Sequence, residues 1–239
     1  MHRLPSDNTG FPSVIRAAQS ALANGADWVQ IREKGGSALD VLHLAQSLLP
    51  VAASQPEPKG VLINDRVDVA LASGAHGVHL AKKSLPPRLA RRLLGPHRLM
   101  GVSVHSLQEA LEAVEAGADY VTFGHIFPTE SKPGLPPKGL DALRQVVEAV
   151  PVPVLAIGGI TAQRLPLVLE TGCAGVAVIG DVMAAQDPAE AVRTLRRILD
   201  ASPAQPLYPF PPPRPVPAPA AGDTLEGSEA TEPAGQTGD

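Results

Sequence analysis

The feature that most constrains this fold is a joint that occurs four times. Gly25-Ala26-Asp27-Trp28-Val29, Gly74-Ala75-His76-Gly77-Val78, Gly117-Ala118-Asp119-Tyr120-Val121 and Gly172-Cys173-Ala174-Gly175-Val176 share one pattern. In each, an Ala- and Leu-rich helical run ends at a glycine suited to the left-handed position that closes a helix, and a short apolar strand follows two or three residues later. The joints lie 49, 43 and 55 residues apart. Each interval holds roughly two strand-plus-helix units, so a further unit must sit inside it. Gly60 to Ile63, Leu99 to Val104 and Val154 to Ile157 supply the intervening strands. These are the second to eighth strands of an eight-strand pattern.

Alternating strands and helices require right-handed parallel crossovers, and eight units within about 200 residues suit the lower end of the barrel range. The expected fold is an α/β, (β/α)8 TIM barrel, with an open doubly wound sheet as the alternative. Its first strand, Arg3 to Asp7, is expected to be short or frayed because Pro5 has no amide to donate. Aromatic residues make up only 3% of the chain, too few for a sandwich of this length.

The pattern stops near residue 200. Ala201 to Asp239 holds 10 of the 26 prolines, and Gly222 to Asp239 has five acids and no base. Such a segment offers little apolar surface to offset its ordering entropy. We therefore expect a barrel domain over 1–200 and a disordered, Pro-rich and acidic tail over 201–239, whose deletion changes stability little. Without the tail's five acids and Arg214, the body has 19 acids and 19 bases. A neutral body gives no electrostatic case for nucleic acid or a membrane surface, and it leaves a homo-oligomer open. One cysteine, Cys173, excludes an intramolecular disulfide. No apolar run reaches membrane length and the first residues lack a signal-peptide pattern, so a cytoplasmic location is expected.

In such barrels the loops after the strands build the site. Those loops carry Arg32 and Lys34, Asn64 and Asp65, His79, Ser103 and His105, His125, Gly158-Gly159, and Ile179-Gly180. The two glycine turns let backbone amides approach an anion, and a phosphate is the expected guest, although Asp181 would compete with it. Arg32, Lys34 and Lys132 are candidates for a second anionic group. Of the histidines at strand ends, His125 precedes a long loop, Ile126 to Gly139, and is placed to exchange protons near neutral pH. No histidine pair has metal-ligand spacing on a helix.

Six ordered motifs carry a family resemblance: Gln30 to Lys34, Ile63 to Asp68, Gly101 to Ser106, Gly117 to Val121, Phe127 to Lys132 and Ala156 to Ile160. Together they resemble the thiamine phosphate synthase superfamily over roughly residues 20 to 198, and the resemblance implies a (β/α)8 barrel. Two branches share the motifs. The synthase joins a pyrimidine diphosphate to a thiazole phosphate with loss of pyrophosphate, using Mg2+ held by carboxylates after strands three and four. Its usual His-Leu-Gly-Gln-x-Asp stretch is similar to His79-Leu80-Ala81-Lys82-Lys83-Ser84 here, so Asp65 remains and the second carboxylate is Ser84. The thiazole tautomerase lacks that stretch and has a histidine where synthases usually have Pro in Gly-Pro-Ile, as in Gly124-His125-Ile126. On these residues the expected activity is the tautomerase: a cofactor-free isomerase that makes the aromatic carboxythiazole phosphate. The resemblance implies His125 as the acid/base. It places substrate and phosphate contacts at Arg32, Lys34, Asn64, Ser103, Thr129, Lys132, Gly158, Gly159, Ile179 and Gly180, with Asp65 as a metal ligand if the chain is a synthase. The synthase is the alternative activity, and a non-catalytic ligand-sensing protein is a further one.

Overall fold

The computed structural model describes residues 11–33 and 35–216. The elements alternate as α1 (Phe11–Ala23), β1 (Trp28–Ile31), α2 (Ala38–Ala53), β2 (Gly60–Asn64), α3 (Val67–Ser73), β3 (Gly77–Leu80), α4 (Pro87–Leu94) and β4 (Leu99–Val104). They continue as α5 (Leu107–Glu115), β5 (Tyr120–Gly124), α6 (Gly139–Ala149), β6 (Val154–Ile157), α7 (Leu165–Leu169), β7 (Gly175–Ala177), α8 (Gly180–Met183) and α9 (Pro188–Ala201). The four repeated glycines have positive φ, at 111°, 72°, 93° and 78° for Gly25, Gly74, Gly117 and Gly172. Each is followed three residues later by a strand.

All seven strands are parallel and pair in chain order, β1 to β7. They form a half-barrel, which corrects the expected closed eight-stranded barrel. Among the described residues β7 and β1 are not hydrogen-bonded, and the expected first strand, residues 3–7, lies outside them. The physical reason is visible at the open edge. β7 has only three residues, and α9 is tied to the turn between α1 and β1 by Arg193 Nη1 donating to Asn24 Oδ1 at 2.6 Å and an Arg196 to Asp27 ion pair at 3.0 Å. Among the described residues, helices flank that edge.

Two apolar clusters lie between sheet and helices. One packs β1 to β4 against α2 and α3 through Leu44, Leu48, Ile63, Val78 and Met100. The other joins β4 to β6 with α5 and α6 through Val121, Phe123, Leu143 and Val146. Another group, Leu165, Leu169, Val192 and Leu195, packs α7 against α9, and a small fourth one fills the N-terminal ends of the strands: Leu62, Leu99 and Tyr120, with Trp28, Leu155 and Phe210 against them. Gly60 and Gly101 leave room for it, because a Cβ there would lie 1.9 Å from the Trp28 ring and 2.0 Å from the Tyr120 ring.

Phe210 belongs to the segment expected to be a free spacer. Its ring meets Tyr120 at 4.8 Å and Trp28 at 5.6 Å, both edge to face, and the Leu207 amide donates to the Gly172 carbonyl at 2.9 Å. Over 207–210 the chain thus lies against the base of the half-barrel, because one aromatic residue among the prolines finds an apolar socket. Residues 217–239, which include the acidic stretch, lie outside the described part. No described helix is long and apolar enough to cross a membrane.

Candidate active site

Parallel strands in sequential order bring all seven C-terminal ends to one face, and the polar residues that follow them form its rim. Arg32 is exposed after β1, and Lys34 lies outside the described residues. After β2, Asn64 receives Gln30 Nε2 on Oδ1 at 2.8 Å and donates Nδ2–H to Asp65 Oδ2 at 2.6 Å. Asp65 sits at φ 62°, a left-handed backbone that side chains rarely adopt, and its amide is bonded to the His79 carbonyl at 2.9 Å. Its Oδ1 accepts from the Ser84 hydroxyl and from the Ala81 amide. Lys82 and Lys83, between Ala81 and Ser84 in the chain, are exposed.

These residues do not fit a protein-held magnesium ion. One carboxylate is present, and it is already hydrogen-bonded through both oxygens. No group of three His, Cys, Asp or Glu residues among the described residues could hold a metal. A small, hard dication needs several oxygen donors in octahedral array.

Beneath the rim is a buried polar network. His79 Nε2 lies 2.8 Å from Ser103 Oγ and its Nδ1 lies 2.9 Å from Tyr120 Oη, while Thr122 Oγ1 is 3.3 Å from both His79 Nε2 and Ser103 Oγ. The ring is 3% exposed. Burial lowers its pKa to about 4, with Arg32 acting the same way and Asp65 opposing. His79 is thus neutral at pH 7 and fixes the Ser103 hydroxyl. Burial raises the Tyr120 phenol well above its ordinary value, so it stays protonated.

His125 occupies a different setting. It is 5% exposed, and its Nε2–H donates to the Leu135 carbonyl at 3.2 Å while its own carbonyl receives the Lys138 amide at 2.8 Å. The ring holds the Leu135 carbonyl toward the end of β5, and the backbone carbonyl closes the base of the loop 126–138. Gly158, at φ 99°, lies so close that an added Cβ would be 2.3 Å from His125 Cβ, and one on Gly159 would be 2.5 Å from the Pro128 carbonyl. Here glycine serves the close approach of the β6 turn to this loop. Thr129 Oγ1 accepts the Ser131 amide at 3.4 Å and its carbonyl accepts the Lys132 amide. Lys132 leans back across the mouth to His105. Ile179 and Gly180 are exposed after β7, with open space around Gly180.

The structure brings Asn64, Asp65, Ser103 and Lys132 to the same rim and moves His125 under its loop. Sequence reasoning missed Tyr120, Thr122 and Glu109, whose partners are 41, 43 and 4 residues away. It also missed Arg164, whose guanidinium stacks 4.9 Å from the Phe127 ring and donates to the Gly159 carbonyl at 2.6 Å.

Comparison with known proteins corrects the expected activity. Residues 6–182 match the family model described as thiamine monophosphate synthase. A thiamine-phosphate synthase of Roseiflexus sp. (strain RS-1) is 43% identical over 191 residues, 80% of each chain. One from Chlorobium phaeovibrioides is 43% identical over 187 residues, 78% of this chain and 88% of that one. A thiamine phosphate pyrophosphorylase from Pyrococcus furiosus superposes with TM-score 0.73 at 37% identity, covering 83% of this chain and 91% of that structure. A 3-hexulose-6-phosphate synthase from Salmonella typhimurium, 16% identical with TM-score 0.61, shares the fold alone. The relatives carry the synthase name, so the tautomerase expectation is overturned, and with it the reason for a proton-shuttling His125. By this match over most of its length, the chain belongs to the thiamine monophosphate synthase family.

Proposed function

We propose that the chain is a transferase that forms thiamine phosphate from a hydroxymethylpyrimidine diphosphate and a thiazole phosphate, with release of pyrophosphate. The observation that carries this reading is identity of about 43% to thiamine-phosphate synthases across 80% of both chains. In the reaction, the thiazole ring nitrogen supplies the electron pair for a new C–N bond to the pyrimidine's methylene carbon. The C–O bond to the diphosphate breaks, and its electron pair leaves with the pyrophosphate. Negative charge therefore builds on the leaving group.

Arg32 and Lys132 are the residues suited to stabilise that charge, the first as a planar fork and the second as a point charge. Lys34, from the same motif as Arg32, joins them on sequence grounds. Ser103, oriented by His79 and Thr122, offers a hydroxyl contact, and Asn64 fixes the rim beside it. The amides of Gly158-Gly159 and Ile179-Gly180 are assigned to the thiazole phosphate. Magnesium enters no step derived from these side chains.

The test is to incubate the purified chain with both substrates, with and without added magnesium, and to follow phosphorus resonances. Thiamine phosphate and pyrophosphate should appear in equal amounts. Absence of both products in both conditions would overturn the reading.

A further inference from the structure

Loop 126–138 arches from β5 to α6 and is anchored very differently at its base and at its tip. At the base, the amides of Lys138 and Gly139 bond to the carbonyls of His125 and Ile126 at 2.8 and 3.1 Å, and Ile126 and Phe127 bond to β6 and its turn. At the tip, residues 133–137 are exposed, and the Leu135 carbonyl accepts from His125 Nε2 at 3.2 Å. Lys132 reaches out of the loop with its side chain: Nζ lies 2.8 Å from His105 Nε2.

The chemistry of that contact has a direction. An ammonium only donates, so His105 Nε2 must be the acceptor and the ring proton must sit on Nδ1. Nδ1 faces Glu109 Oε2 at 3.3 Å, and the same oxygen receives the His105 amide at 2.6 Å. Glu109 is placed by helix α5: it lies in the first turn, where Ser106 Oγ caps its amide at 3.1 Å. The carboxylate thus selects the imidazole tautomer whose free lone pair meets Lys132. One of the three ammonium protons goes to His105, and two remain for an anion in the mouth.

We propose that His105, oriented by Glu109, is a positioning residue that holds Lys132 and the tip of loop 126–138 over the mouth, so that Lys132 meets the diphosphate. This rests on the synthase reading for the identity of the anion. The charged groups facing the imidazole are Glu109, Lys132 and, at longer range, Lys138. Burial and the neighbouring Lys132 keep the ring below its ordinary imidazole value, so it is neutral at pH 7 and accepts from the ammonium. Acidification that protonates His105 sets two cations against each other and frees the tip.

The experiment uses the full chain and two readouts, backbone hydrogen exchange over 129–137 and steady-state kinetics. His105→Phe, which removes the acceptor, should speed exchange at 129–137 several-fold and leave β5 and α6 unchanged, with KM for the diphosphate substrate up about tenfold and kcat changed less. His105→Gln, whose amide oxygen can accept from Lys132, should recover part of both. The double variant His105→Phe/Lys132→Met should bind no worse than Lys132→Met alone, because His105 acts through Lys132. Equal exchange in wild type and His105→Phe, or additive effects in the double variant, would overturn the proposal. Loss of synthase turnover in the wild-type chain would instead remove the synthase reading, and the exchange result would still decide the positioning role. Should His105→Phe fail to fold, Glu109→Ala is measured in its place, with the same loosening of 129–137 expected and unchanged exchange counting against it.

Discussion

The two ends of the same strands are built from opposite materials. At the C-terminal ends the residues are Arg32, Asn64, Asp65, Ser103, His105 and the Lys132 loop, polar and at least partly exposed, with side-chain hydrogen bonds from Gln30 through Asn64 to Asp65 and between His105 and Lys132. At the N-terminal ends they are Trp28, Leu99 and Tyr120, sealed from below by Phe210. One strand can serve both ends because the parallel ladder puts every first residue on one side and every last residue on the other. Stability and chemistry are thereby separated along each strand. Tyr120 and His79 are the place where the two halves touch.

The largest expected effect tests that point of contact. His79 has a folded pKa of about 4 against an ordinary value of 6.5. The unfolded chain therefore takes up the proton first as pH falls. The stability associated with a neutral His79 is complete above about pH 6.5 and is lost progressively down to about pH 4, by roughly 3 kcal/mol. Denaturant titrations at pH 7 and pH 4, compared between wild type and His79→Asn, should show a flatter pH response in the variant. An identical response would mean that His79 does not couple base and mouth.

The mouth by itself is tested by Arg32→Ala. Turnover with both substrates should fall in kcat/KM by about 100-fold, some 2.7 kcal/mol, with the melting temperature nearly unchanged because this exposed side chain fills no core. A marked drop in melting temperature would blur the division between the two ends.

The base is tested by Phe210→Ala. The ring is partly buried, so its loss should cost about 1 to 2 kcal/mol, below the 3 to 5 typical of a fully buried aromatic, and leave KM unchanged. Truncation before 203 compared with truncation before 217 isolates the same contact. Only the first removes Phe210, and only it should lower the melting temperature by several degrees.

The smallest effect is expected on the outer wall. Arg88 and Glu115 pair at 2.6 Å with 64% and 75% of their side chains exposed. Arg88→Ala should change stability by less than about 0.5 kcal/mol, since water and salt screen such pairs. A larger loss by thermal melting would show that helix surfaces share in the stability assigned here to the base.

The order of elements was legible without any structure because its signals are local. A glycine that must take positive φ, followed by a short β-branched run, specifies a helix end and a strand start within a few residues, and β4 and β6 begin and end where those runs do. Much of the rim was legible as well, since parallel order alone puts strand ends together. The branch of chemistry was not. It rested on the residue types at Ser84 and His125, and the synthase-named relatives overturn it.

What the sequence by itself determined is the alternation, the parallel sheet and the family, all of which depend on local backbone preference and on ordered motifs. Only the tertiary structure decided how far the sheet closes, where the chain past residue 200 goes, and which polar groups meet. His79 and Tyr120 are 41 residues apart, His105 and Lys132 are 27 apart, and Phe210 reaches Trp28 from the far end of the described chain. Such contacts carry no periodic signature. They exist because neighbouring strands put certain positions side by side, and because an apolar socket or a lone pair is left there for a distant residue to fill.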